Sequence, residues 1–142
     1  MIYTFWDFDS TLVKHNYPFD AGQEEDEYMD SPASLEMDFE LKEEIYKEYK
    51  NAEGTKRILL TNRSIKVKDE VINLLEELGV TFDDHLFRDK DRSKGNRLND
   101  YLQENKTPKE IHFWDDKDKH IMDMFRVSKI YKDITFHLNK VD

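Results

Sequence analysis

The sequence predicts a three-layer α/β fold in which a central, mostly parallel sheet is covered by helices on both faces. Three observations lead there. Short β-branched and aromatic runs recur along the chain, segments with helical spacing of apolar residues lie between them, and polar or acidic residues close the runs. A length of 142 residues suits one domain with its own core, so a single domain over 1–142 is expected.

Ile2 to Trp6 is β-branched and aromatic and ends at Asp7, which reads as a buried strand. From Lys14 to about Met37 neither period is clear. Tyr17-Pro18, Ala21-Gly22 and Ser31-Pro32 lie there among many acids, so an acidic, flap-like insertion is expected at about 14–37. Leu41, Ile45 and Tyr49 at four-residue spacing predict the first helix, and Arg57 to Thr61 the second strand. Val71, Ile72, Leu75 and Leu78 predict a helix stopped by Gly79. His85 to Arg88 is a short strand signal, and Leu98 with Leu102 marks another helix. Ile111 to Trp114 is a strand, Ile121, Met124 and Phe125 mark a helix, and Ile134 to Leu138 is the last strand. In sheets of this kind ligands bind beyond the carboxyl ends of the strands, so the polar residues that close them are the candidate site.

Charged residues make up 38 % and hydrophobic ones 37 %, and nine Phe, seven Tyr and two Trp supply the bulk a core needs. The absence of cysteine excludes disulfides and thiolate metal sites. No apolar run approaches the roughly 20 residues that span a bilayer. Met1 to Phe8 carries no basic leader. A cytoplasmic protein without membrane association is expected. The net charge of −10 is concentrated in Asp20 to Glu48, which holds twelve acids and two lysines. Elsewhere charges balance, and Gly54 to Lys68 holds five basic residues and no acid, so acidity does not exclude an anionic substrate.

Asp7-Phe8-Asp9-Ser10-Thr11-Leu12 follows the first strand directly. Thr61, Asn62 and Arg63 close the second strand, where hydroxyl and N–H donors suit the oxygens of an anion. Lys94 precedes Leu98 and Leu102 by whole helical turns, after a polar loop that also contains Lys90. Phe113-Trp114-Asp115-Asp116 places two acids at a strand end, hard oxygen donors of the kind Mg²⁺ takes. His120 either orients that acid pair or packs on its helix. Tyr17, Phe19 and Tyr28 either stack on a base or pack on the body.

These four elements, in this order over residues 7 to 116, resemble the motifs of the haloacid dehalogenase (HAD) superfamily. The resemblance implies a Rossmann-like fold with a small cap or none, and a Mg²⁺-dependent phosphomonoester hydrolase that works through an aspartyl phosphate. It makes Asp7 the nucleophile, Asp9 the general acid/base, and Thr61, Asn62 and Arg63 the phosphate grip. Lys94, with Lys90 as the alternative, is the neutralising cation. Asp7, the carbonyl of Asp9 and Asp116 become the Mg²⁺ ligands, and Asp115 a further ligand or a supporting acid. A carboxylate nucleophile divides phosphoryl transfer into two easier steps, which accords with these roles.

A narrower likeness rests on Leu59-Leu60-Thr61-Asn62-Arg63, the Lys94 helix and Asp115-Asp116-x-x-x-His120. These are similar to the phosphatase domain of phage polynucleotide kinase and to the Swiss-army-knife RNA repair phosphatases. That implies a nucleic-acid end (a 3′-phosphate) or a nucleotide as substrate. Ser10, Asn62 and Lys117 depart from the narrower pattern, which has Gly, Gly and Arg there. Two alternatives stay open: a small-molecule phosphatase, and an acidic non-enzymatic binding protein that uses Asp20 to Glu48. A two-component receiver domain fits less well, because its phosphoacceptor ends a middle strand and not the first. The pattern implies no particular oligomeric state.

Overall fold

A computed structural model describes residues 1–14, 31–35 and 39–142. Most of the expected flap, with Tyr17, Phe19 and Tyr28, lies outside the described residues. The chain runs β1 (Ile2–Trp6), β2 (Val13–Lys14), a 3₁₀ turn (Pro32–Leu35), β3 (Glu40–Leu41) and α1 (Glu43–Asn51). It continues through β4 (Lys56–Ser64), a second 3₁₀ turn (Ile65–Val67), α2 (Lys68–Glu77), β5 (Asp84–Arg88) and α3 (Lys94–Glu104). β6 (Glu110–Asp115), α4 (Asp118–Ser128) and β7 (Thr135–Lys140) complete it. Five strands form one parallel sheet in the order β5-β4-β1-β6-β7, and β2 pairs antiparallel with β3.

The central strands are buried on both faces, which is why their sequences read as continuous apolar runs. Tyr3 and Phe5 point to one side and meet Leu98 and Leu102 of α3 and Met124 and Val127 of α4. Trp6 points to the other, with Ile45 and Tyr49 of α1 and Val71 and Leu75 of α2. There the Trp6 indole lies flat on Trp114, with centroids 3.9 Å apart, and takes the edge of Tyr49 at 6.0 Å. The expected three-layer arrangement is what the chain adopts.

Several elements differ from expectation in detail. Leu41 belongs to β3, paired with Val13, and α1 begins after it at Glu43 with two acids in its first turn, where the helix dipole favours them. Phe125 is exposed, because the inward stripe of α4 is His120, Met124 and Val127. β4 continues three residues past Thr61, with a register shift against β5 between Leu60 and Ser64. Gly79 does end its helix: its φ of +85° lets Val80 N–H turn back to the Leu75 carbonyl at 2.8 Å. Among the described residues no helix is long and apolar enough to cross a membrane.

The packing of α3 on α4 requires a glycine. Gly95 N–H donates to Asp123 Oδ2 at 2.7 Å, and a Cβ at residue 95 would lie 2.5 Å from that oxygen. Gly95→Ala is therefore expected to lower stability by about 1 kcal/mol in urea unfolding, although alanine is the better helix former by a similar amount. A stability gain would show that Asp123 swings aside without cost.

Candidate active site

Register creates the site. Trp6 pairs with Trp114 on one side and with Leu59 on the other, so the residues that follow, Asp7 and Asp115, emerge abreast at the carboxyl ends of β1 and β6. Asp7 N–H donates to the Trp114 carbonyl at 3.1 Å and fixes that end. Ser93 caps α3 by accepting from Asn96 N–H at 3.1 Å, so the helix starts at Lys94. The Lys94 side chain, 1 % exposed, donates to Asp7 Oδ1 at 2.6 Å and to Asp115 Oδ2 at 2.7 Å. Lys90 is exposed in the preceding loop, whereas Lys94 makes both of these contacts.

The chain turns immediately after Asp7. Leu12 and Val13 N–H groups donate to the Phe8 carbonyl at 3.1 and 3.3 Å, and Ser10 adopts a left-handed φ of +62°. A non-glycine residue pays roughly 1–2 kcal/mol for that conformation. The Thr11 hydroxyl, to which the sequence pattern alone assigns no role, donates to Asp7 Oδ2 at 2.9 Å and lies 3.4 Å from Asp116 Oδ1. The turn thus links the ends of β1 and β6 a second time.

Asp9 is held by Arg63. Nε and Nη2 of the guanidinium donate to its two oxygens at 2.9 and 2.8 Å, a bidentate pair, while Nη1 donates to Ser34 Oγ at 2.5 Å. Ser34, buried in the first 3₁₀ turn, donates onward to the Ser31 carbonyl at 2.8 Å. Nothing local in the sequence marks Ser34, since its contact is entirely tertiary. Thr61 and Arg63, two residues apart, share the inward side of β4, and Thr61 Oγ1 accepts from Arg63 N–H at 3.1 Å.

Asn62 points the other way into a directional hydrogen-bond chain. Arg97, buried on α3, donates from Nη1 to the Thr61 carbonyl at 2.7 Å and from Nη2 to Asn62 Oδ1. Arginine only donates, so Asn62 turns Nδ2 toward His120 Nε2, 3.2 Å away. His120 then carries its proton on Nδ1, facing Asp115 Oδ2 at 3.0 Å. His120 is buried and contacts Asp115, so it is not a surface residue. Burial and the nearby Arg88 bring the Arg97 guanidinium down to about 10, still charged at neutral pH.

Burial pushes the Asp7 carboxyl well above the usual carboxylate range; the Lys94 charge opposes this, and the Asp115 and Asp9 charges add to it. Burial also disfavours the ionised forms of Asp115 and Lys94. Hydrogen bonding from His120 and the charge of Lys94 outweigh it for Asp115, whose carboxyl falls to about 2. The charges of Asp7 and Asp115 outweigh it for Lys94, whose ammonium is held above its ordinary range. Asp7, Asp115 and Asp116 each offer an oxygen within 4.8 Å of the others. Carboxyl oxygens from three acids this close together make a hard donor set, which fits a divalent cation such as Mg²⁺.

No protein-family model matches this chain, and no curated protein does. Solved structures match it closely along its length. A chain of the Pnkp1/Rnl/Hen1 RNA repair complex superposes with a TM-score of 0.65 at 21 % identity, over 99 % of this chain and 43 % of that one. A chain from a second structure of the Pnkp1/Rnl/Hen1 complex gives 0.66 at 20 % identity, over 99 % and 46 %. The present chain spans less than half the length of either. At that level of identity the likeness establishes the fold.

Two predictions test the electrostatics. Asp7→Asn removes a charge that burial disfavours and is expected to raise Tm by a few degrees in calorimetry with a chelator present; a fall would show that Lys94 outweighs burial at Asp7. Asp115 has a folded-state pKa below its unfolded value of 3.8. It therefore contributes stability above pH 3.8 that is lost as pH falls toward 2, worth about 2 kcal/mol. Urea unfolding of Asp115→Asn should show lower stability at neutral pH, by about 3 kcal/mol, and a flatter acid limb than the parent.

Proposed function

We propose that this chain is a Mg²⁺-dependent phosphomonoester hydrolase that acts on phosphorylated nucleic-acid ends through an aspartyl phosphate on Asp7. The observation that carries the reading is the buried Lys94 ammonium joining Asp7 to Asp115, with the Arg63–Asp9 pair close enough for the Asp9 charge to act on Asp7. The motif order that resembles the HAD superfamily supports the chemistry. The RNA repair complex in which similarly folded chains occur supports nucleic acid as substrate.

Asp7, Asp115 and Asp116 would hold Mg²⁺, which when bound supplies positive charge to the phosphate oxygens. Lys94 neutralises the nucleophile and the incoming dianion together, so their mutual repulsion falls. Arg63 and the Thr61 hydroxyl receive the equatorial oxygens. A phosphate competes with Asp9 for the guanidinium, and the carboxyl released from Arg63 takes up and delivers a proton. Asp7 attacks phosphorus in line, the ester P–O bond breaks, and Asp9 protonates the leaving oxygen. Asp9 then removes a proton from water, which attacks the phosphorus of the aspartyl phosphate and frees phosphate and Asp7. His120 and Asn62 keep Asp115 in place throughout.

Beside Asp116 lies an open cavity of about 350 Å³ lined by Ser10, Lys14, Lys42, Lys140, Val141 and Asp142. Its lysines suit the phosphates that flank a polynucleotide end. The test is Mg²⁺-dependent phosphate release from 3′- and 5′-phosphorylated oligonucleotides, nucleoside monophosphates and p-nitrophenyl phosphate. A preference for 3′-phosphorylated oligonucleotides is expected, with release abolished in Asp7→Asn and slowed about 100-fold or more in Asp9→Asn. Equal turnover of all substrates would favour a small-molecule phosphatase. No release by folded protein would overturn the hydrolase and leave an acidic binding protein.

A further inference from the structure

A second group of ligating side chains lies on the border between β6 and β7. His112 stands directly opposite His137 in the parallel register, and Glu110, two residues before His112, shares its side of the strand. Ile111, Phe113, Phe136 and Leu138 take the other side and pack under α3 and α4. The two imidazoles and the carboxylate therefore gather on the face that α3 and α4 leave uncovered, where β7 is the sheet edge. One ligand atom of each lies within 4.8 Å of the others. The rings stack with centroids 4.2 Å apart, and His137 Nε2 is 3.0 Å from Glu110 Oε1.

We propose that Glu110, His112 and His137 bind a borderline divalent transition cation of the Zn²⁺ or Ni²⁺ kind, at a site separate from the Asp7, Asp115 and Asp116 cluster. Two imidazole nitrogens and one carboxylate oxygen match such ions, whereas Mg²⁺ favours oxygen donors throughout. Three protein donors leave a coordination position for water. Donors bound to one Zn²⁺ at about 2.1 Å stand roughly 3.4 Å apart in a tetrahedron, a separation compatible with ligand atoms that lie within 4.8 Å of one another, two of them 3.0 Å apart. Small side-chain rotations can adjust the geometry, because His137 is exposed and Glu110 and His112 are partly so. What is given up is one ring stack and one solvent-facing hydrogen bond.

The site has a native reporter. His112 stacks on Trp114 at 5.8 Å, Trp114 lies on Trp6, and these are the chain's two tryptophans. Ni²⁺ bound at His112 quenches their emission, and Zn²⁺, which does not quench, restores it by displacement. The experiment is a Ni²⁺ titration of the full chain in excess Mg²⁺, followed by tryptophan fluorescence. Saturable quenching is expected, reversed by Zn²⁺ and retained in Asp116→Asn. His137→Asn and Glu110→Gln, which leave the tryptophan stack untouched, should each weaken it by at least the roughly tenfold that loss of even an outer partner costs a metal site. Absence of saturable quenching would overturn the proposal. So would quenching that is unchanged in these two variants and lost in Asp116→Asn, because the ion would then sit on the carboxylate cluster.

Discussion

A lysine ammonium held between two carboxylates, with almost no exposed surface on any of the three, is the constraint around which this fold is arranged. Such a triad does not stabilise a protein by itself, because the cost of taking three charges out of water rivals their mutual attraction. The surrounding structure must hold it. Lys94 comes from the start of α3, Asp7 from the end of β1 and Asp115 from the end of β6, so a single hydrogen-bonded group fastens three elements at one end of the sheet. Beneath it, Phe5 and Phe113 fill one face and Trp6 and Trp114 the other. The apolar core supplies stability, and the charged cluster draws on it.

Two further hydrogen-bonded groups radiate from this centre. Arg63 reaches outward, tying Asp9 to Ser34 and so coupling the turn after β1 to the segment that precedes α1. Arg97 reaches across from α3 through Asn62 and His120 to Asp115. The second group selects the tautomer of the neutral imidazole, since each donor along it leaves its neighbour one remaining role. Both begin at a buried arginine, the residue type that can enter a core and still satisfy several acceptors in one plane.

What could be read from the sequence followed local periodicity. Ile2 to Trp6, the Gly79 helix stop and the Lys94–Leu98–Leu102 spacing all appear where neighbouring residues dictate them, and the acids that close β1 and β6 converge as their positions suggest. What stayed hidden depended on partners distant along the chain. Ser34 and Arg97 carry no local signature, because the one meets Arg63 and the other Asn62 only after folding. Of the stripe that Ile121, Met124 and Phe125 predict for α4, Met124 and Ile121 do pack inward and Phe125 faces solvent, because a further buried position is filled by a polar residue, His120, whose partner is Asp115. Leu41 fits a helical spacing with Ile45, yet pairing with Val13 claims it for a strand.

The parallel register of β1 against β6 makes sequence length itself a chemical variable. Ile2 lies beside Glu110 and Trp6 beside Trp114, with no bulge between them, so Asp7 and Asp115 arrive level with one another. One residue inserted or deleted within either strand would turn its terminal acid to the opposite face and bury an indole where a carboxylate belongs. Drift in chain length is therefore confined to the connections between the strands, where it leaves the alignment of the two acids intact.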